Sequence, residues 1–119
     1  MADVTLLHNP RCSTSRAVLD ELETADVDTD VVHALRDPLV AAQLRDLVEQ
    51  LEDPVTDLVR RDATFTSLGL TDADVATADQ VVAVLVQHPK LMQRPVLVRG
   101  GRAIIGRPKD RVSAFLQDR

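Results

Sequence analysis

The residues best suited to chemistry in this 119-residue chain lie in one short segment around its single cysteine, Cys12. An apolar run precedes this cysteine and a helical pattern follows it, with Arg11 and Arg16 on either side. A thiolate at a helix N-terminus is stabilised by unpaired backbone N–H groups and by the positive end of the helix dipole, and a bound oxyanion can use the same groups. The segment therefore predicts a reactive thiol of low pKa, although a lone cysteine can also be an inert member of a core.

Two further polar residues of the segment can tune this thiol. Ser15, three positions after Cys12, is placed to donate a hydroxyl hydrogen bond to the sulfur. His8 ends the apolar run, where it can either assist the thiol or hydrogen-bond the backbone at the end of a strand. The other two histidines, His33 and His88, have no neighbours that suggest a ligand set, so we predict no metal site.

Arginine is unusually frequent, with 12 arginines against 2 lysines. Arg60, Arg94 and Arg107 stand in turn-like contexts, the last two directly before a proline. The planar guanidinium group binds tetrahedral oxyanions through paired hydrogen bonds. These three residues are therefore candidates for an oxyanion site, although arginines of this kind can equally be solvated at the surface.

Hydrophobic spacing predicts the elements that position these side chains. Residues 4–8 are short and apolar and run into Asn9-Pro10, a pattern typical of a buried strand that ends in a turn. From Ser13 the apolar residues fall on one helical face, and Ser13 or Thr14 can cap that helix. Residues 29–34 predict a second strand, so a helix joins two strands and implies a right-handed parallel crossover.

The middle of the chain is predicted to be helical. Asp37-Pro38 can supply the N-cap and first residue of a helix whose apolar positions recur at helical spacing. A short helix after Pro54 and a capping pattern at residues 71–74 continue the helical block. Residues 80–87 are ambiguous, because their β-branched content favours a strand whereas the residues flanking them suit the ends of a helix. We predict a helix here.

The end of the chain predicts a hairpin followed by a helix. Residues 95–99 and 102–106 have the pattern of two strands, and Gly100-Gly101 between them suits a two-residue turn. Pro108 can begin the last helix.

The element order predicts an α/β, thioredoxin-like fold with a mixed four-stranded sheet and an all-helical insertion between strands 2 and 3. No linker, repeat or low-complexity tract interrupts the chain, so we expect a single domain over residues 1–119. Its thioredoxin-like parts are expected at about residues 1–36 and 89–119, and the helical insertion at about residues 37–88.

Composition excludes several classes of protein. The formal charge is −5 and the chain has no Trp or Tyr, so it lacks the basic surface and stacking platforms of a nucleic-acid-binding protein. No apolar run approaches the ~20 residues that span a bilayer, so we expect no membrane span. The N-terminus lacks the basic and then apolar pattern of a signal peptide, which predicts a cytoplasmic protein. A single cysteine also excludes an internal disulfide.

Four motifs in order resemble those of the glutaredoxin-coupled arsenate reductase family, ArsC. The segment His8-Asn-Pro-Arg-Cys12-Ser-Thr-Ser-Arg16 is similar to the family signature HNPxCxTSR. The later motifs are Leu58-Val-Arg60-Arg61 with Leu68-Gly-Leu70, then His88-Pro-Lys-Leu-Met-Gln-Arg94-Pro95-Val, and Gly106-Arg107-Pro108. The resemblance covers essentially the whole chain, and it implies a thioredoxin-like fold in which residues 80–87 are helical.

The resemblance also implies roles for individual residues. Cys12 matches the family's nucleophile, and three arginines match the residues that bind the oxyanion: Arg60, Arg94 and Arg107. His8 and Ser15 match residues that hold the thiol as thiolate, and Pro95 matches the cis-proline of thioredoxin-like folds. Ser13 departs from the glycine of the best-known members, which bears on the affinity of the anion loop for its substrate.

The activity implied by the resemblance is thiol-dependent reduction of arsenate to arsenite through a covalent Cys12–arsenic adduct. Since the chain has no second cysteine, glutathione or another low-molecular-weight thiol must act as cosubstrate, and a glutaredoxin-like protein must complete the cycle. We expect no bound cofactor and a monomer. The sequence does not show which low-molecular-weight thiol or redoxin the chain uses.

Two alternatives remain open. The protein can be an ArsC-like thiol oxidoreductase whose substrate is not arsenate, because an arginine clamp recognises charge and tetrahedral shape rather than one element. It can also resemble the Spx-type regulators, which share the fold and bind RNA polymerase. Those regulators typically sense oxidation through a Cys-x-x-Cys pair, and Ser15 stands where the second cysteine would be.

Overall fold

The chain starts with a β-α-β unit and finishes with a hairpin and a helix. A computed structural model describes residues 3–107 and 110–117. In chain order the main elements are β1 Val4–His8, α1 Ser13–Thr24, β2 Thr29–His33, α2 Ala41–Gln50, α3 Ala63–Ser67, α4 Ala78–Gln87, β3 Val96–Arg99, β4 Arg102–Ile105 and α5 Asp110–Gln117. Short 3-10 helices occupy Val55–Leu58, Asp72–Val75 and Pro89–Leu91. No helix among the described residues is long and apolar enough to cross a membrane.

The strands of the described residues form one mixed sheet in the order β2-β1-β3-β4. β1 and β2 are parallel, with His8 beside His33, whereas β3 runs antiparallel to both β1 and β4. The expected thioredoxin-like α/β class is confirmed, as is the helical insertion between the second and third strands.

Each face of the sheet is covered by a separate group of apolar side chains. On one face, α1 and α5 pack against the sheet through buried residues that include Val18, Leu22 and Phe115. On the other face the helical insertion packs against the sheet, with Leu44 of α2 and Leu85 of α4 among its buried residues. The alternation of side chains along each strand divides the core in this way.

The insertion also covers the outer edge of β4. Leu51 forms a parallel bridge to Ala103, and the Glu52 backbone N–H donates to the Ala103 carbonyl at 2.8 Å. Asp53 accepts the Ile105 backbone N–H at 2.9 Å through one carboxylate oxygen, and its other oxygen pairs with Arg111 at 2.7 Å. Backbone groups that an edge strand would otherwise expose are therefore satisfied.

One helix start and one helix cap differ from the prediction, whereas α1 begins at Ser13 as predicted. α2 begins at Ala41 rather than at Asp37, because the Asp37 backbone N–H donates to the His33 carbonyl and closes a turn. The Gln43 side chain then accepts the Val40 backbone N–H at 3.0 Å. The expected cap of α1 was also wrong, since Cys12 itself is the N-cap residue.

The ambiguous segment is a helix, as the family resemblance implied. Thr77 caps α4 by accepting the Gln80 backbone N–H at 3.2 Å, and the Gln80 side chain accepts the Thr77 N–H at 3.0 Å. This reciprocal pair and the burial of one helical face outweigh the strand preference of the valines. The predicted start of the last helix at Pro108 lies outside the described residues.

Replacing Asp53 by alanine should lower the free energy of unfolding by about 1–3 kcal/mol, because the partly buried Ile105 N–H and the Arg111 guanidinium would lose their acceptor. Urea unfolding followed by far-ultraviolet circular dichroism measures this change. Asp20→Ala, on an exposed position of α1, is the matched control and should leave stability nearly unchanged. Equal losses in both variants would show that the Asp53 contacts do not stabilise the sheet edge.

Candidate active site

The loop between β1 and α1 is shaped by Asn9. This residue is 5% exposed, its side-chain oxygen accepts the Arg11 backbone N–H at 2.9 Å, and its carbonyl accepts the Cys12 N–H at 3.0 Å. Such an Asx-type turn reverses the chain immediately after the strand. Cys12 is thereby held at the first turn of α1, partly exposed, beside backbone N–H groups that have no partner within the helix.

Ser15 connects this helix end to the strand. Its side chain is fully buried, its Oγ lies 2.6 Å from Nδ1 of His8, and it accepts the Asn9 backbone N–H at 3.1 Å. The predicted hydroxyl bond to the sulfur is absent from its contacts with described residues. Instead, the backbone N–H of Ser15 acts on the Cys12 thiol.

His8 is buried at the end of β1, and its ring meets the ring of His33 edge to face at 5.8 Å between centroids. Burial lowers the pKa of His8, and the charges of His33 and Arg16 lower it further. A neutral imidazole is therefore favoured. The Ser15 hydroxyl, which already accepts from Asn9, can donate to Nδ1 of this neutral ring.

Arg107 reaches the thiol from the opposite end of the chain. Its Nη2 donates to Sγ of Cys12 at 3.2 Å, and its Nε donates to the Arg94 carbonyl at 2.7 Å. The Arg94–Pro95 peptide bond is cis. The Gly106 N–H donates to the Pro95 carbonyl at 2.8 Å, which ties the two segments that carry the arginines.

A substituent at Gly106 would disturb this arrangement. A Cβ there would stand 3.0 Å from side-chain atoms of both Leu97 and Pro95, closer than ordinary van der Waals contact. The absent side chain therefore allows the segment before Arg107 to approach the cis-proline turn.

The surroundings of Cys12 favour its charged form. Partial burial raises the pKa of the thiol, but this is outweighed by the Ser15 backbone N–H and by hydrogen bonds from Arg94 and Arg107, together with the charge of Arg107. The pKa of Cys12 is consequently held below its ordinary value. A nucleophilic thiolate needs this combination of access and positive surroundings.

The remaining predicted arginines differ in how near they come to the thiol. Arg94 donates through Nη1 to the Lys90 carbonyl at 3.2 Å, while its Nε is buried without a hydrogen-bond partner among the described residues. Arg60 is fixed by its backbone N–H, which donates to Leu91 at 2.7 Å, and its side chain lies 3.9 Å from Asp62. The structure therefore brings Arg94 and Arg107 to Cys12 but shows no direct contact from Arg60.

Sequence reasoning missed the part that Asn9 plays at this site. The Asn-Pro pair predicted only a turn. Asparagine side chains often accept a hydrogen bond from the backbone N–H two residues later, and this tendency could have predicted the bond from Arg11 to Asn9. Within residues 3–107 and 110–117, no group of three His, Cys, Asp or Glu could hold a metal ion.

A model of the ArsC family matches residues 7–115. The chain belongs to the ArsC family. The resemblance that the four sequence motifs indicated is thus confirmed.

Individual relatives of this ArsC-family chain carry different names. It is 39% identical over 111 residues to uncharacterized protein YfgD of Escherichia coli K12, with 92% of each chain covered. It is 32% identical over 118 residues to an arsenate reductase of Neisseria meningitidis serogroup B, covering 98% of this chain and 100% of the relative. A solved arsenate reductase from Vibrio cholerae superimposes with a TM-score of 0.84 at 32% identity, over 95% of this chain and 97% of that chain.

Arg107→Gln should raise the pKa of Cys12, because it removes both a hydrogen bond and a positive charge from the sulfur. The thiolate is the form that iodoacetamide alkylates, so reactivity is fully present above the thiol pKa and is lost as pH falls through it. The alkylation midpoint of the wild type should lie below that of an unstructured cysteine peptide, and the variant's midpoint should move to higher pH. Arg45→Gln, an exposed control on α2, should leave the midpoint in place; coincident profiles for all three proteins would contradict the assignment.

Ser15→Ala should lower the free energy of unfolding by about 1–3 kcal/mol, because buried groups of His8 and Asn9 would lose a shared partner. Its effect on the iodoacetamide midpoint should be smaller than that of Arg107→Gln, since the backbone N–H that faces the thiol remains. Ser13→Ala, which removes an exposed hydroxyl from the same turn, is the control in urea unfolding. A midpoint shift in Ser15→Ala as large as that in Arg107→Gln would instead assign the hydroxyl to the sulfur.

Proposed function

We propose that this protein reduces arsenate to arsenite with Cys12 as its nucleophile. The observation that carries the proposal is the 3.2 Å contact from Arg107 Nη2 to Cys12 Sγ, which puts a cation and a thiol of lowered pKa in one place. The names of the arsenate reductases among its relatives support arsenate as the substrate.

In the proposed first step the Cys12 thiolate attacks the arsenic atom of arsenate. A sulfur–arsenic bond forms, and one arsenic–oxygen bond breaks as the oxygen leaves with a proton as hydroxide or water. Arsenic remains As(V). Arg94, Arg107 and the loop N–H groups stabilise the negative charge on the remaining oxygens, and the unpartnered Nε of Arg94 is a donor still available for this purpose.

Arg60 is proposed as a third oxyanion ligand. Its side chain is 26% exposed, and its 3.9 Å approach to Asp62 is a loose contact that contributes little. Arg60 can therefore release the Asp62 carboxylate and bind the more highly charged oxyanion instead. The backbone hydrogen bonds on either side, Arg60 to Leu91 and Gln93 to Leu58, hold this segment next to the one that carries Arg94.

The second step needs an external thiol, such as glutathione. Its thiolate attacks Sγ of Cys12, a sulfur–sulfur bond forms, and the sulfur–arsenic bond breaks with its electron pair going to arsenic, which leaves as As(III). A glutaredoxin thiol then attacks the mixed disulfide and returns Cys12 to its thiolate. We propose that this cycle runs in the cytoplasm, where such thiols are kept reduced, and that the protein acts as a monomer.

A second candidate is a thiol oxidoreductase of the same mechanism acting on another substrate. The specific observation in its favour is that the identity to YfgD, whose name states no activity, exceeds the identity to the arsenate reductase of Neisseria. Ser13 in the anion loop is a further departure from the best-known family members. Another oxyanion, or a disulfide, would then replace arsenate at Cys12.

Arsenate-dependent oxidation of NADPH, coupled through glutathione, glutaredoxin and glutathione reductase, tests the proposal. Cys12→Ser should abolish this turnover without changing the circular dichroism spectrum, because no other thiol can form the adduct. Arg107→Leu should reduce kcat/KM for arsenate by about 100-fold or more, since it removes a donor to the growing negative charge.

The control for the arginine variant is Arg45→Leu, which should match the wild type. Substantial turnover by Cys12→Ser would remove Cys12 as the nucleophile. A wild-type protein that is inactive with arsenate but whose Cys12 exchanges with disulfides would favour the second candidate.

A further inference from the structure

We propose that the cleft beside the loop before Cys12 binds the reducing low-molecular-weight thiol, and that it selects a thiol that carries a carboxylate. This cleft, the thiol cleft, has a volume of about 370 Å³. Its lining residues come from the β1–α1 loop and from the end of β2 with its following turn: Asn9, Pro10, Arg11, His33, Leu35 and Arg36. The need for an external thiol rests on the proposed function, whereas the location and chemistry of the cleft do not.

The order of the strands places this cleft and the site arginines on opposite sides of Cys12. β2 flanks β1 on one side, and its last residue, His33, lies beside His8. β3 flanks β1 on the other side, and its first residue, Val96, lies beside Leu7. Arg94 precedes β3 and Arg107 follows β4, so both arginines approach the thiol from the side away from β2.

The proposed second step needs access from two opposite directions. Displacement at sulfur requires the attacking sulfur, the Cys12 sulfur and the departing arsenic to lie nearly in line. The arsenic group is expected on the side of Arg94 and Arg107, which hold its oxygens. The attacking thiol must then arrive from the side of β2, where the thiol cleft opens.

The chemistry of the thiol cleft fits a small anionic thiol. Arg11 is exposed and its side chain makes no hydrogen bond or ion pair with any described residue, which leaves a cation next to the nucleophile. Arg36 is 72% exposed at its side chain, and its one ion pair among the described residues is with Asp37, itself 64% exposed, a contact that a ligand carboxylate can replace. Pro10 and the 40% exposed Leu35 supply apolar surface for the thiol's carbon chain.

The size of the cleft favours a small molecule over a protein partner. Its volume falls at the lower end of the roughly 300–1,000 Å³ of small-molecule sites. Two arginines spaced along one cleft match a short peptide thiol with more than one carboxylate, of which glutathione is the available probe.

A larger polar cleft of about 570 Å³ lies on the opposite side and includes Arg107 in its lining. Four of its other charged residues are already paired, Asp53 with Arg111 at 2.7 Å and Arg61 with Asp72 at 3.2 Å, and Asp57 adds a further negative charge. A thiol bound there would approach from the same side as the oxyanion. This position does not allow in-line attack, so the larger cleft is not the proposed thiol site.

Thiol–disulfide exchange at Cys12 tests the proposal without arsenate. The Cys12 thiolate attacks one sulfur of glutathione disulfide, a Cys12–glutathione disulfide forms, the original sulfur–sulfur bond breaks, and one glutathione thiolate leaves. The product is the same mixed disulfide that the second step of the proposed cycle forms. Its rate of formation on the 119-residue protein is measured by intact-protein mass spectrometry, with glutathione disulfide and with uncharged hydroxyethyl disulfide.

Arg11→Gln and Arg36→Gln should each slow the reaction with glutathione disulfide by about three- to tenfold, because each removes a charged hydrogen-bond donor to a carboxylate. Neither variant should change the rate with hydroxyethyl disulfide by more than a small factor. Arg45→Gln, with the same loss of charge on exposed α2, should match the wild type with both reagents. The ratio of the two rates separates recognition of glutathione from any change in the reactivity of the thiol.

Several outcomes would overturn the proposal. Equal slowing with both disulfides would show that Arg11 and Arg36 affect the reactivity of the Cys12 thiol rather than the binding of glutathione. Equal slowing in Arg45→Gln would show a general effect of surface charge. Unchanged glutathione rates, combined with slower reduction of the mixed disulfide by glutaredoxin, would make the cleft a protein-docking surface instead. If the wild type does not turn over arsenate but the two arginine variants still react more slowly with glutathione disulfide alone, arsenate is not the substrate and the thiol cleft still stands.

Discussion

The contact between Arg107 and Cys12 is the interaction on which the site depends. It joins residues 95 positions apart in the chain, and it exists only if β1, β3 and β4 are paired in their observed register. The same guanidinium holds the Arg94 carbonyl, so one side chain fixes both the thiol and the turn at the cis-proline. A thiolate without this cation would keep only the Ser15 backbone N–H and Arg94 to offset its partial burial.

A second network, on the strand side of the thiol, is fully buried and electrically neutral. Ser15 ties the start of α1 to His8 and Asn9, and the lowered pKa of His8 keeps positive charge away from this interior. Positive charge is concentrated on the accessible side instead, where Arg94 and Arg107 lie. The protein has a net charge of −5 but carries a locally cationic site, since net charge does not describe how charged residues are distributed.

Local patterns in the sequence predicted the strands, the hairpin and the position of Cys12 at a helix N-terminus, because these depend on neighbouring residues. They were less reliable where two local signals compete for the same residues. α2 begins at Ala41 because a turn at His33 and a glutamine side chain replace the expected Asp37-Pro38 start. The helical state of α4 required a reciprocal cap that outweighs the strand preference of its valines.

The candidate active site, like the fold, was predicted from the sequence only in part. The composition of the Cys12 loop predicted a reactive thiol. Their turn-like contexts made Arg60, Arg94 and Arg107 candidates for an oxyanion site, and the family resemblance then matched these three to oxyanion-binding residues. The resemblance in turn does not describe side-chain geometry. The position of Ser15, three residues after Cys12, led to the expectation of its hydroxyl on the sulfur, whereas the hydroxyl contacts His8 and Asn9 and the backbone N–H acts on the thiol.

Residues 51–53 cover the edge of β4, so the helical insertion is part of the sheet's own packing. The segment between β2 and β3 supplies one of the two apolar layers of the protein and closes an open edge of the sheet. Its removal would leave one face of the sheet and one row of peptide groups in water. The helical segment and the sheet therefore share their burial, and neither is covered without the other.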